Sequence, residues 1–194
     1  MMTQICWALV AVCLLTPSIS TLRAQSATAQ ISFSITPQRP RPWDKRKELA
    51  LGTVAPNWRL KTVEGKTIAL SELRGQVVVL DFWANWCGPC RKLEPLFNQL
   101  VREYQNQPVK FFTLSIWPDQ DFNPQTYLKA HKLASTFLIG EDAVANDYGI
   151  WGLPTYYVID PAGKVSYIHA LLSVEQEPLE KRLREAIGQA LAKE

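Results

Sequence analysis

Between residues 58 and 192 the apolar positions change period several times, and each change marks an element. Trp58-Arg-Leu-Lys-Thr-Val63 alternates, Glu64-Gly65 breaks the run, and Lys66 to Leu70 returns, which is the pattern of a β-hairpin. Val77 to Phe82 is apolar except at Asp81, as expected of a central strand covered on both faces. From Cys87 to Tyr104 the period becomes helical, with Leu93, Leu96, Phe97 and Leu100 on one face. Val109 to Ile116 reads as a second central strand, Pro124 to His131 as a helix, Phe137-Leu-Ile139 as a short strand and Asp142 to Tyr148 as a short helix. Thr155-Tyr-Tyr-Val-Ile159 and Lys164 to Ala170 flank Asp160-Pro-Ala-Gly163, a tight-turn sequence, and form a second hairpin. Val174 to Ala192 closes the chain as an amphipathic helix. Strands that alternate with helices and end in a hairpin predict an α/β sandwich, a central sheet flanked by helices.

The first 50 residues follow a different logic. Ile5 to Leu15 is an apolar run containing Cys6, Trp7 and Cys13, followed by Thr16-Pro17-Ser18-Ile-Ser20 and an Ala-rich polar stretch, as in a secretory signal peptide. The run falls well short of the ~20 residues that span a bilayer. Small residues suited to cleavage occur at Ser18, Ser20, Ala24, Ala27 and Ala29, while no Lys or Arg precedes the run. Residues 1–24 are therefore read as a signal peptide, with an uncleaved anchor as the alternative. Residues 25–48 read as a linker in which Pro37, Pro40 and Pro42 favour an extended chain. Its basic residues suit a solvated tether or contact with an anionic membrane surface. Ile31-Ser-Phe-Ser-Ile35 alternates as a strand would. The folded domain is expected over residues 49–194.

Composition refines this picture in two places. With 194 residues, 47% of them apolar, the chain can build one domain with a sizeable core. The net charge of +3 gives no footprint for nucleic acid. Of the four cysteines, Cys6 and Cys13 leave with a cleaved signal. Cys87 and Cys90 would then be alone, so the pair must exchange electrons with another molecule.

That pair carries the chemistry. Asp81-Phe-Trp-Ala-Asn-Trp-Cys87-Gly-Pro-Cys90 runs from a strand into two cysteines and on into a helix, the context of a redox dithiol. Closing so small a ring stabilises a fold only weakly, but it keeps the second thiol beside the first. Cys87 falls at the helix N-terminus, where unpaired N–H groups and the dipole favour a thiolate with a pKa below the free value of about 8.5. Cys90, one turn inside, is expected to be the more buried, resolving thiol. Pro89 suits the first helical turn, where its missing N–H removes no hydrogen bond.

The same stretch resembles the active-site signature of thioredoxins. Pro95 sits where thioredoxins kink this helix, and Gly152-Leu-Pro154-Thr155 is similar to their cis-proline loop. Leu51 to Leu60 and Gly65 to Gly75 are similar to the TlpA/ResA-like exported thioredoxins, so the resemblance covers roughly residues 50 to 190. It implies a thioredoxin-like fold, a mixed sheet with an N-terminal β-hairpin extension and a helical insertion at Pro124 to His131. It also implies that Asp81 is a buried proton acceptor behind the cysteines, its pKa raised by desolvation. The lysine that thioredoxins carry on the neighbouring strand has no counterpart in Phe111-Phe-Thr-Leu-Ser115, which makes that rise more pronounced. Pro154 is expected to be cis, with the Leu153 backbone pairing to an extended polypeptide. Trp86, Gly88, Pro89, Trp151, Leu153 and Pro154 form the expected substrate-binding surface, with Trp151 as a groove wall or, alternatively, a core residue. Trp83 reads as structural, and His131 and His169 as isolated surface or core residues. The cytochrome-maturing relatives often place an acidic residue three positions after the second cysteine. Here that position is Leu93, and Glu94 is one step off, on another face of the helix.

The resulting functional expectation is an exported thiol-disulfide oxidoreductase acting on disulfides of partner proteins. The Gly-Pro pair resembles that of reducing thioredoxins, which implies a reductant, in cytochrome c maturation or a similar process, re-reduced by a membrane thiol donor. An oxidant or isomerase is the alternative. The protein is expected to be monomeric and to need no cofactor or metal. A peroxidase of the related peroxiredoxin fold would need Pro-x-x-x-Thr-x-x-Cys, and Phe82-Trp-Ala-Asn-Trp-Cys87 has neither the proline nor the threonine. A copper-handling module could use two soft thiolates, but no nearby His or Met run completes a site.

Overall fold

A seven-stranded sheet forms the middle of the computed structural model, which describes residues 49–170 and 176–193. The expected signal peptide, the linker and the Ile31–Ile35 strand lie outside the described residues. Strands β1 (Arg59–Thr62) and β2 (Thr67–Ala69) make the first hairpin around Gly65, whose φ of 85° suits a residue without a Cβ. A 3-10 turn, Leu70–Leu73, leads to β3 (Val77–Trp83). Helix α1 (Gly88–Glu103), β4 (Val109–Ser115), α2 (Pro124–His131), β5 (Thr136–Ile139) and α3 (Asp142–Asp147) follow. The hairpin β6 (Thr155–Ile159) and β7 (Val165–Ala170) precedes α4 (Gln176–Leu191). The spatial order is β2-β1-β5-β4-β3-β6-β7. β3, β4 and β5 are parallel, and β6, β7 and the first hairpin are antiparallel to their neighbours. Element boundaries differ from the sequence expectations by a residue or two, because ends are decided by capping rather than by periodicity.

The two faces of β3 explain why it lacks the usual polar alternation. Val78, Leu80 and Phe82 enter a core with Trp58, Leu114, Tyr148 and Tyr157. Val77 and Val79 point the other way, beneath Leu93, Phe97 and Leu100 of α1 and Leu179, Leu183 and Ile187 of α4. By the period of two, Asp81 falls on this second, helix-covered face. Arg184 of α4 donates to Glu103 of α1 through Nε (3.0 and 3.1 Å) and Nη2 (2.8 Å), and also to Glu180, which ties the two covering helices together.

A third cluster sits at the C-terminal end of β3, and it holds the cysteines. Trp83, Ala84, Cys87, Cys90 and Phe137 are buried there, with Phe122, Tyr127, Leu128 and Leu153 packed against them. Helix α2, the inserted element, has no fully buried residue, yet it covers this cluster. Trp83 is its hub, with ring centroids 4.9 Å from Tyr127, 5.7 Å from Phe137 and 5.8 Å from Phe122. Among the described residues no helix is long and apolar enough to cross a membrane.

Candidate active site

β3 ends at Trp83, and a short turn closed by the Cys87 N–H donating to the Ala84 carbonyl (3.0 Å) delivers the chain to α1. Cys87 is the N-cap: its backbone is extended (φ −77°, ψ 97°) and its Sγ accepts the Cys90 N–H at 3.2 Å. A sulfur takes the place of the side-chain oxygen that usually satisfies this orphan donor. Pro89 occupies the first turn, where no hydrogen bond is lost. Cys87 and Cys90 are joined by a disulfide across a Cα–Cα distance of 5.3 Å. The expectation that Cys90 is the more buried of the two holds by a single percentage point. Cys87 is 3% exposed and Cys90 2%, because both pack into the aromatic cluster beneath Leu153.

The other side of the site is the loop before β6. The Leu153–Pro154 peptide is cis, Pro154 is buried, and Leu153 packs against both the cysteine cluster and the main core. The Thr155 hydroxyl donates to the Gly152 carbonyl at 2.8 Å, bracing the loop. Trp86, 48% exposed, and Trp151, 38% exposed, leave large apolar surface in the segments that flank the disulfide and the cis-proline. Pro89 is exposed and Gly88 half-buried.

Sequence reasoning missed the grip of the β4–α2 connection on the turn before Cys87. The Trp86 Nε1–H donates to the Trp117 carbonyl at 2.6 Å. Asn85 and Asp119 bond reciprocally: the Asn85 amide donates to the Asp119 carboxylate (2.9 Å), and the Asp119 N–H donates to the Asn85 side-chain oxygen (3.0 Å). Nothing in the local pattern of either segment predicts these contacts. Beside them lies an open groove lined in part by Asp121, Phe122, Tyr127 and His131.

Asp81 is 4% exposed, opposite Thr113 on β4 and Tyr156 on β6. Its Oδ1 has no hydrogen-bond partner within the protein. Burial, and then the negative charge of Glu94, hold its carboxyl well above the usual range. No strand lysine offsets that rise: the β4 residue opposite is Thr113.

The structure corrects the reading of Glu94 and His131. Glu94 does lie off the Leu93 position, but it is 9% exposed and accepts from the Trp83 Nε1–H (3.2 Å) and the Tyr127 hydroxyl. His131 is not isolated: its Nδ1 stands 3.2 Å from the Glu94 carboxylate, and its ring stacks on Tyr127 at 3.9 Å. A signal for Glu94 was present, since Cys90, Glu94 and Phe97 are spaced i, i+4, i+7 and share a helix face. His169 stacks with Tyr167 on β7.

The matches to known proteins agree with this geometry. The AhpC/TSA family model matches residues 51–168. Thiol-disulfide oxidoreductase ResA of Geobacillus thermodenitrificans is 34% identical over 125 residues, 64% of this chain and 71% of its own length. Thioredoxin-like protein YneN of Bacillus subtilis is 29% identical over 139 residues, 70% of this chain and 82% of its own. A solved structure assigned as the thiol:disulfide interchange protein DsbE of Chlorobium tepidum superposes with a TM-score of 0.66 at 30% identity, covering 74% of this chain and 99% of that one. Fold and dithiol therefore define a thiol-disulfide oxidoreductase with a thioredoxin-like fold. The chain belongs to the AhpC/TSA family.

Proposed function

We propose that the chain is an exported reductant of protein disulfides, with Cys87 as the attacking thiolate, Cys90 as the resolving thiol and Asp81 as its proton acceptor. The observation that carries this reading is the Cys90 N–H aimed at the Cys87 sulfur at the N-terminus of α1. In the reduced protein that N–H and the helix dipole favour a thiolate on Cys87. The thiolate attacks one sulfur of the substrate disulfide, and the other sulfur leaves with the electron pair and takes a proton from solvent. Cys90 then gives its proton to Asp81 and attacks Cys87. This closes the Cys87–Cys90 bond and releases the second substrate sulfur, so two electrons have passed to the substrate.

An extended substrate segment fits the cis-proline loop through the Leu153 backbone beside Pro154, a form of strand addition. Trp86 and Trp151 wall the groove. Export is supported by the Ile5–Leu15 run, with residues 1–24 as signal or anchor, 25–48 as tether and 49–194 as the redox domain. The protein works as a monomer, without cofactor or metal, because the electrons reside in the dithiol. A membrane thiol donor restores it, and apocytochromes awaiting haem are one substrate class that the reading includes.

The test is the reduction potential of the Cys87–Cys90 pair, measured by equilibrating the purified protein with glutathione. A value near about −270 mV supports a reductant. A value of about −120 to −180 mV overturns that direction and makes the protein a disulfide donor or isomerase.

A further inference from the structure

The open groove beside the turn that presents Cys87, about 750 Å³ in volume, has no part in the cycle above. Asn85 lies on its wall two residues before Cys87, so the groove's edge is no more than about 7 Å from the cysteine along the backbone. Phe122 and Tyr127 also line it, and both pack against the cluster that holds Cys87, Cys90 and Leu153. The groove and the cis-proline loop therefore border the same dithiol. A polypeptide whose disulfide meets Cys87 has its neighbouring residues within reach of both.

The charge of the groove is of one sign. Asp119 and Asp121, both exposed, line it, and none of the described residues in its lining is a lysine or arginine. Lys129 and Lys132, at the far end of α2, stand outside the lining. Asp119 is held in place: its carboxylate accepts from the Asn85 amide (2.9 Å), and its N–H donates to the Asn85 side-chain oxygen (3.0 Å). The start of α2 also borders the groove, but its Thr126 N–H is taken by the Asn123 side chain (2.9 Å). A helix end is equivalent to only about half a positive charge, against two full negative ones. Phe122 is half-buried, which leaves apolar surface on which an alkyl stem can lie. The chain as a whole carries +3, so an attraction for cations here is local and is opposed by the rest of the molecule.

We propose that this groove selects substrates: it takes a lysine or arginine side chain one to three residues from the cysteine under attack, with the stem on Phe122 and the charge at Asp119 and Asp121. The inference rests on the reading of the chain as a reductant of protein disulfides and names the substrate class of that site. The chemistry of exchange is unchanged; the groove alters which disulfides reach Cys87 and how fast. Rim charges of this kind act mainly on the rate of encounter and its dependence on salt. The α2 insertion and the connection before it thus set specificity as well as covering the cysteine cluster.

The experiment uses the reduced full-length chain and three symmetric peptide disulfides, identical except for Lys, Ala or Glu two residues after the cysteine. Each second-order rate constant is divided by that of dithiothreitol, which removes the intrinsic reactivity of the peptide. The lysine peptide is expected to react about three- to tenfold faster than the glutamate peptide at low salt, and the difference is expected to shrink in 0.5 M NaCl. Asp121 is the position to change, because no hydrogen bond ties it to the Cys87 turn as Asn85 ties Asp119. Asp121→Lys is expected to reverse the order of the two peptides, and the near-isosteric Asp121→Asn to lower the lysine preference about twofold, which keeps the test available if the reversal does not fold. Equal normalised rates in the wild type, or a faster glutamate peptide, overturn the proposal. So does a lysine preference that both variants leave intact, since the charge would then be read elsewhere. If the reduced chain reduces none of the three peptides while dithiothreitol reduces them all, the underlying reading as a reductant falls instead.

Discussion

The indole N–H of Trp86 donates to the backbone carbonyl of Trp117 across 2.6 Å, and Trp117 itself is held at φ 50°. A bulky residue rarely adopts this left-handed backbone, which costs about 1–3 kcal/mol and persists where its surroundings over-determine it. Here the surroundings are the turn that presents Cys87. Trp86→Phe keeps the apolar surface and deletes the donor. The expected result is a stability loss of about 1 kcal/mol or less with a several-fold drop in disulfide turnover. Equal activity of mutant and wild type in an insulin-reduction assay would show that the hydrogen bond does not position the cysteine.

On the proposed cycle, Cys90→Ser leaves the attacking thiolate without its resolving partner. The variant is expected to accumulate a covalent mixed disulfide with protein substrates, visible as a mass shift on non-reducing gels, while Cys87→Ser forms none. Adducts on Cys87→Ser in place of Cys90→Ser would reverse the assigned roles.

Asp81, the proposed proton acceptor, also bears on stability. Its folded-state pKa is raised, so its contribution is fully present below the unfolded value of about 3.9 and is lost as pH rises through the folded value. Asp81→Asn should therefore raise stability at pH 8, by roughly 1–3 kcal/mol, and make little difference at pH 3.5, while turnover slows. Thermal melts at the two pH values check the sign. Destabilisation at pH 8 would mean that the carboxylate is satisfied in the fold.

Trp151 is more than one-third exposed, so its truncation removes little core packing. Trp151→Ala is expected to lower kcat/KM toward a protein disulfide about tenfold, and to change stability by less than about 1 kcal/mol. An unchanged kcat/KM with a lowered Tm would make the residue part of the core and not of the groove.

Much of this molecule was legible in the chain because hydrophobic period is a local record of burial. Val77 to Phe82 announced a strand covered on both faces, Leu93, Phe97 and Leu100 announced the covered face of α1, and Gly65 marked a turn. Cys87-Gly-Pro-Cys90 and Leu153–Pro154 carry their chemistry in residue type and spacing, and both stand where the pattern put them. The near-complete burial of Cys87 was not legible, because it depends on Leu153 and the aromatic cluster arriving from distant segments.

The sequence by itself determined the sheet and its covering helices, the dithiol at a helix start and the carboxylate on the apolar strand behind it. Only the tertiary structure decided what that carboxylate faces. Glu94 is bonded to residues 11, 33 and 37 positions away, and Trp86 to one 31 positions away. Periodicity tells each element which of its own faces to bury. How α2 docks on the end of β3 is fixed by packing among Trp83, Phe122, Tyr127 and Phe137, a contact between elements that no local pattern encodes.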